Sequence, residues 1–88
     1  MQRVYRQRVR LVADLLDAEP LCQRCRSRSS TEVHEVLSRA RGGSILDPEN
    51  CRALCHVCHV WITEHPADAT AEGWLRSAFS APDVDSGA

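Results

Sequence analysis

The sequence predicts a small α+β domain, and three observations lead to that expectation. The first 18 residues carry apolar side chains at helical spacing, two short segments in the middle of the chain resemble β-strands, and four of the five cysteines form two Cys-x-x-Cys pairs. A chain of 88 residues holds one domain. Because so short a chain buries little apolar surface, we expect an additional cross-link to stabilise it.

Residues 3–18 are predicted to form an amphipathic helix that ends before Pro20. One face is an apolar stripe, and the other is charged; we favour a solvated surface over a DNA contact for the charged face. The stripe consists of Val4, Val9, Val12, Leu15 and Leu16, with Tyr5 and Leu11 at its edges, and the charged face consists of Arg3, Arg6, Arg8, Arg10, Asp14 and Asp17.

Residues 32–37 alternate in the manner of a strand. Side chains of a strand point to opposite faces in turn, so Val33 and Glu35 are expected on one face and His34 and Val36 on the other.

A flexible, basic segment with two adjacent glycines follows at residues 38–44, and residues 47–50 carry a turn signal. Residues 51–54 are then a short second strand. We expect the two strands to form a hairpin across this long loop.

A helix is predicted from Cys55 or His56 to about Glu64, with apolar side chains available for the core at Val57, Val60 and Trp61. Its end is marked by the His-Pro pair that follows.

A second short helix is predicted at residues 67–72, after which Trp74 and Leu75 close the domain as a hydrophobic latch. Residues 77–88 lack periodicity and are expected to be a loose tail. The predicted domain is therefore residues 1–76.

Composition limits the compartment and the partners. No stretch approaches the roughly 20 apolar residues of a membrane span, and no apolar run follows the basic N-terminus as in a secretory signal. We expect a reducing, cytoplasmic location and no membrane partner, and there paired cysteines usually bind metal. The net charge of −1 does not by itself indicate nucleic-acid binding, although every basic residue is an arginine, suited to phosphate.

The two Cys-x-x-Cys pairs predict a structural zinc site. Cys22 and Cys25 are separated from Cys55 and Cys58 by 29 residues, and four thiolates satisfy the tetrahedral preference of Zn²⁺. A closed thiolate shell leaves no position for a substrate. A reducible disulfide pair is the alternative reading. Cys51 is left over, and we favour a buried free thiol over a fifth ligand.

Three polar features are not needed for that zinc site: His34-Glu35, Asn50 and His59. In this order, interleaved with the cysteines, they resemble the HNH endonuclease family, which has the ββα-metal fold. The resemblance covers roughly residues 21–75. Its core is His34-Glu35-Val36-Leu37-Ser38-Arg39-Ala40-Arg41-Gly42-Gly43, then Asp47-Pro48-Glu49-Asn50, then Leu54-Cys55-His56-Val57-Cys58-His59, and the segments 61–66 and 73–75 look like the small members encoded by bacteriophages and prophages.

The resemblance implies cleavage of DNA phosphodiesters with one divalent cation, Mg²⁺, Mn²⁺ or Ni²⁺, while a histidine activates water. His59 matches the final histidine of the family and would be a metal ligand. Asn50 matches the central asparagine, which orients the loop or the base, although a simple turn residue explains it equally well in isolation. Arg39 and Arg41 are candidates to clamp DNA phosphates, with a solvated loop as the alternative.

The sequence departs from the family at the first motif. His34 falls where the family has an Asp or His metal ligand, and Glu35 falls where the family usually has its general-base histidine. A glutamate has a reference pKa of about 4.3 against about 6.5 for histidine, so it is a weaker base. Three readings stay open: Glu35 is the base, His34 is the base with Glu35 as a ligand, or the site is catalytically weak.

Two functions follow from these readings. The first is a metal-dependent DNA endonuclease that nicks or cleaves with little sequence specificity; by analogy with the phage subgroup, it would act beside terminase subunits in DNA packaging. The second is a non-catalytic, zinc-ribbon-like module that binds DNA or a terminase. A redox protein is a third, less favoured reading, because two distant cysteine pairs better suit one metal ion.

Overall fold

The computed structural model describes residues 2–76, and the predicted loose tail at residues 77–88 lies outside this range. The predicted α+β class is confirmed, because a long helix precedes a ββα unit and one more helix follows it. In chain order the elements are α1 (Gln2–Ala18), β1 (Glu32–Glu35), a 3₁₀ turn (Arg39–Arg41), a second 3₁₀ turn (Pro48–Asn50), β2 (Cys51–Leu54), α2 (His56–Glu64) and α3 (Pro66–Glu72).

Helix α1 forms where it was predicted, but the predicted stripe is only partly correct. Val4, Tyr5 and Val9 are exposed, whereas Arg8, which we had placed on the solvent face, is half-buried against the strands. The face that packs on the domain is one helical stripe. It begins with Arg8 and continues with the apolar side chains that lie one and two turns further along α1. Its half-buried members are Arg8, Leu11, Val12, Leu15 and Leu16.

Strands β1 and β2 pair in an antiparallel hairpin, as predicted. His34 lies opposite Arg52, and Glu35 lies opposite Cys51. Residues directly opposite each other share a face of the sheet, so His34 and Arg52 lie on one face while Glu35 and Cys51 lie on the other. The second of these faces is covered by α1, because Glu35 contacts Arg8 there.

The core lies between β2, α2, α3 and the first cysteine pair. Its buried members are Cys22, Leu54, Cys55, Cys58, Ile62 and Ala69. Our expectation that Val57 and Val60 enter the core was wrong, since their exposed fractions are 53% and 37%. The inward face of α2 is instead set by Cys58 and Ile62, one turn apart, because Cys58 faces the other three cysteines of the two Cys-x-x-Cys pairs.

The segment after α3 closes the domain in the predicted way. Gly73 adopts a left-handed conformation (φ +92°) that ends α3, and Trp74 and Leu75 pack on the core. The chain then runs beside the hairpin, where the Arg76 N–H donates a hydrogen bond of 2.9 Å to the carbonyl of Val36. None of the helices within residues 2–76 has the length and apolar character needed to cross a membrane.

Candidate active site and metal centre

The four cysteines of the two Cys-x-x-Cys pairs form one cluster. Their sulfur atoms all lie within 4.8 Å of one another, although the two pairs are far apart in the sequence. Three of the cysteines are buried and Cys25 is half-buried. Four convergent sulfur ligands suit Zn²⁺, so the cluster can hold one zinc ion.

Backbone N–H groups donate hydrogen bonds to sulfur atoms of the cluster. The Cys25 and Cys58 N–H groups lie 3.5 and 3.4 Å from the sulfur atoms of Cys22 and Cys55. At Cys25, the N–H of Ser27 lowers the pKa of the thiol to about 6. Burial has the opposite effect at Cys58 and raises the pKa of its thiol to about 12. A cation held among the four sulfur atoms would offset the cost of burying the Cys58 thiolate, because its charge would stabilise every thiolate around it.

Arg24 links the cysteine cluster to the two C-terminal helices. Its Nη1 lies 3.6 Å from the sulfur of Cys58, and its Nε donates to Glu72 at 3.0 Å. Its guanidinium carbon stands 3.6 Å from the ring centre of Trp61 on α2, a cation–π distance. Arg24 therefore holds both helices against the first Cys-x-x-Cys turn, a role that the sequence did not indicate.

Cys51 lies outside the metal cluster, in agreement with its predicted role as a free thiol. It is 2% exposed, and Arg8 Nη1 lies 3.6 Å from its sulfur. Its strand position faces α1, whereas the cluster of the other four cysteines lies on the side of α2.

His34 from β1 and His59 from α2 come together on the face of the hairpin that α2 covers. Their ring centroids are 5.2 Å apart, and the planes cross at 72° in an edge-to-face arrangement. His34 is 7% exposed, while the side chain of His59 is 34% exposed. A strand and a helix thus deliver two imidazoles, one buried and one partly open to solvent, to the same place.

The protonation of the His34 ring follows from its hydrogen bond to the backbone of Trp74. Its Nε2 atom lies 2.5 Å from the carbonyl oxygen of Trp74. A carbonyl only accepts, so Nε2 must carry the proton and Nδ1 keeps its lone pair. Burial also lowers the pKa of His34, which keeps the ring neutral. The ring therefore has one nitrogen available to accept a proton.

Glu32, which the sequence analysis did not single out, bridges two histidines of α2. Its Oε1 lies 2.6 Å from His59 Nδ1, and its Oε2 lies 2.7 Å from His56 Nδ1. The bonds to His59 and His56 lower the pKa of the Glu32 carboxyl. One signal in the sequence could have found it: Glu32 stands two residues before His34 in a strand, and so shares its face.

Asn50 fastens the loop that leaves β1. Its Oδ1 accepts a 2.8 Å hydrogen bond from the Leu37 N–H, and its Nδ2 donates to the carbonyls of Leu37 at 2.9 Å and Ser44 at 3.2 Å. Gly43 passes so close that a Cβ there would stand 1.8 Å from the Leu37 oxygen. Only glycine fits this crossing, so Asn50 and Gly43 together fix the path of the loop.

Glu35 does not reach the histidine pair. It alternates with His34 along β1 and faces α1, where its Oε2 lies 2.9 Å from Arg8 Nη2. Arg8 Nη1 also donates to the Ile45 carbonyl at 2.6 Å, so the same guanidinium holds both the strand and the loop. The position next to His34 thus serves the packing of α1.

The basic residues near the histidines differ in their surroundings. Arg39 and Arg41 are exposed on the 3₁₀ turn of the loop. Arg52 lies opposite His34 in the hairpin, and its Nη1 donates to the carbonyls of Glu49 and Cys51 at 2.8 and 2.9 Å. Arg52 was not picked out from the sequence, although the pairing of the two strands places it on the face of His34.

Residues 22–64, from the first cysteine of the cluster to the end of α2, match the model of the HNH endonuclease family. No curated protein and no solved structure matches the chain.

Proposed function

We propose that the chain is a metal-dependent endonuclease that hydrolyses DNA phosphodiesters, since residues 22–64 match the model of the HNH endonuclease family. The observation that carries the proposal is the convergence of His34 and His59, with ring centroids 5.2 Å apart. One imidazole is positioned to accept a proton and the other to bind a cation, which are the two protein groups that such a hydrolysis needs.

His34 is the general base. Its Nε2 is committed to the Trp74 carbonyl, so its single open nitrogen is Nδ1. A nitrogen that takes a proton from water cannot also ligate a cation, and the low pKa that burial gives this ring keeps it unprotonated at neutral pH. We therefore assign His34 to the activation of water.

His59 is the protein ligand of the catalytic cation. Its Nδ1 faces Glu32, and its ring is partly open to solvent, so Nε2 is the nitrogen that can meet an ion. When bound, Mg²⁺, Mn²⁺ or Ni²⁺ supplies charge stabilisation at the scissile phosphate and the leaving oxygen. Asn50 keeps the loop beside the site in place, and Arg39 and Arg41 on that loop contact the DNA backbone.

The four-cysteine cluster is a structural zinc site in this proposal. The four sulfur atoms supply a full tetrahedral shell, so the ion has no open position for water or DNA. Its function is to hold the first Cys-x-x-Cys turn against α2, and so to fix the helix from which His59 projects.

A second candidate function is a non-catalytic zinc module that binds DNA or a DNA-packaging protein. The pairing of Glu35 with Arg8 favours it, because the residue at the usual general-base position of the family is engaged in packing. Under the leading proposal His34 replaces that base. Under the second, the histidine pair only stabilises the hairpin. Recruitment by a phage terminase is compatible with both and is tested by co-purification of the chain with terminase subunits.

Cleavage of supercoiled plasmid by the zinc-loaded chain separates the two functions. We expect nicked or linear product with at least one of Mg²⁺, Mn²⁺ and Ni²⁺, and loss of product in His34→Ala and His59→Ala. Raising the metal concentration should restore part of the activity of His59→Ala, which lacks a ligand, and none of that of His34→Ala, which lacks the base. His65→Ala is the control, because His65 stacks on Trp61 away from the pair. A folded wild-type chain that is inactive with all three metals would favour the non-catalytic module.

A further inference from the structure

Glu32 makes contacts that neither the hairpin nor the core requires. Its two carboxylate oxygens are each used once, on His59 Nδ1 at 2.6 Å and on His56 Nδ1 at 2.7 Å. The two histidines stand three residues apart on α2, so their rings project from the same side of the helix toward one carboxylate. The side chain of Glu32 is 33% exposed, which makes this a half-buried contact between β1 and the first turn of α2.

The contact with Glu32 determines which ring nitrogen of His59 carries the proton. An ionised carboxylate only accepts hydrogen bonds, so the neutral His59 ring must carry its proton on Nδ1 to make this contact. Its Nε2 then keeps a lone pair. Glu32 also fixes the direction in which that lone pair points, because the ring cannot turn without losing the bond.

We propose that Glu32 is a positioning residue that holds His59 as the Nδ1–H form and so presents its Nε2 to the catalytic cation. This inference rests on the proposed function, because it takes His59 as the ligand of that cation. Carboxylates that hold metal-binding histidines in this way are worth about 10–100-fold in metal affinity. His56 shares the carboxylate and steadies it, but its side chain is 74% exposed and it is not a ligand in this proposal.

The first measurement is the proton position on His59 in the zinc-loaded 88-residue chain, without a second metal. Two-bond ¹H–¹⁵N correlation spectra distinguish Nδ1–H from Nε2–H imidazoles. We expect the Nδ1–H pattern for His59 in the wild-type chain, and a loss of that pattern in Glu32→Ala. A Glu32→Ala spectrum in which His59 is unchanged would overturn the proposal.

The second measurement is the affinity for Mn²⁺, followed by paramagnetic broadening of the His59 ring signals. In Glu32→Ala, half-maximal broadening should need about 10–100-fold more Mn²⁺ than in the wild-type chain. Glu64→Gln, at the exposed end of α2, is the matched control and should leave the titration unchanged. Equal affinities for the wild-type chain and Glu32→Ala would overturn the proposal.

Glu32→Gln separates positioning from direct ligation. The amide oxygen can still accept the Nδ1–H bond, so a positioning role predicts that the proton pattern is kept and that most of the Mn²⁺ affinity returns. A variant that keeps the proton pattern but loses as much affinity as Glu32→Ala would make Glu32 a ligand and contradict the inference. His56→Ala should keep the Nδ1–H pattern of His59, because the Oε1 bond remains.

These readouts also distinguish a failure of this inference from a failure of the proposed function. The proton pattern and the Mn²⁺ titration need no cleavage activity, so they judge Glu32 even if the chain cuts no DNA. Conversely, suppose that Glu32→Ala leaves the His59 proton pattern and the Mn²⁺ affinity unchanged in a chain that cleaves DNA. That result would overturn the inference about Glu32 and would not contradict the endonuclease proposal.

Discussion

The carbonyl of Trp74 accepts a hydrogen bond from His34 Nε2 at 2.5 Å, although the two residues are 40 positions apart in the chain. The segment that makes this contact also pairs with the strand region through the Arg76 N–H and the Val36 carbonyl. The C-terminal segment therefore does more than cover the core, because its backbone sets which nitrogen of His34 is open.

This relationship predicts the effect of shortening the chain. A chain ending at residue 72 keeps α3 but loses the Trp74 carbonyl, the packing of Leu75 and the Arg76 bond. We expect it to bind zinc, to lose the fixed Nε2–H form of His34 and to cleave plasmid much more slowly. A chain ending at residue 76 is the control and should match the full chain. Equal cleavage by the two truncated chains would contradict a role for this contact.

If His34 is the general base, as we propose, the pH dependence of cleavage should follow the protonation of His34. Burial lowers the pKa of His34 from its ordinary value near 6.5. A base works only when unprotonated, so activity is present above this lowered pKa and is lost as the pH falls through it. We expect the acidic limb of the pH–rate profile to lie below about pH 6.5. A limb at or above that value, with zinc retained, would show that His34 is not the limiting base.

Glu35 provides a direct test of where the base lies. Glu35→Gln removes the charge that pairs with Arg8 but keeps the size of the side chain, so it should lower the unfolding free energy by about 1 kcal/mol, because the pair is half-buried and still reached by solvent. Plasmid cleavage should persist in Glu35→Gln, whereas His34→Ala should abolish it. Urea denaturation and cleavage assays on the same samples check both statements. If Glu35→Gln folds and is inactive, the base is Glu35 after all.

The contrast between His34 and its neighbour Glu35 shows which features of the site could be predicted from the sequence. The helices, the hairpin and the cysteine cluster follow from local periodicity and from the strong geometric demand of four thiol ligands. The motif order also brought His34 and His59 forward as a pair. Strand alternation could have placed Glu32 on the face of His34, but its contacts with His56 and His59 depend on how β1 and α2 pack. The contact between His34 and the Trp74 carbonyl depends on where the C-terminal segment lies, and no local pattern encodes that position. The burial of Arg8 was missed for a related reason, since its partners at Glu35 and Ile45 lie 27 and 37 residues away.

Loss of the cysteine cluster should unfold the domain. Cys55→Ser or a strong chelator removes a site that can contribute on the order of 10 kcal/mol of apparent folding free energy, more than so small a core replaces. Circular dichroism and zinc analysis should show loss of structure together with loss of metal. Cys51→Ala is the matched control, because this buried thiol lies outside the cluster. A folded, zinc-free Cys55→Ser chain would contradict the structural role.

Substitution of Asn50 should disorder the loop after β1 without unfolding the domain. Asn50→Ala deletes the three hydrogen bonds that join it to Leu37 and Ser44, so the loop carrying Arg39 and Arg41 is released while the cysteine cluster stays intact. The unfolding free energy should fall by about 1–3 kcal/mol, because two carbonyls and one N–H lose their partners. Cleavage should fall more steeply than zinc binding, which should not change. Asn50→Asp sharpens the test, since its carboxylate can still accept from the Leu37 N–H but cannot donate to either carbonyl. If all three hydrogen bonds order the loop, the protection of loop amides from hydrogen exchange in Asn50→Asp should lie between that of the wild-type chain and that of Asn50→Ala. If Asn50 is only a turn residue, Asn50→Asp and the wild-type chain should show the same protection.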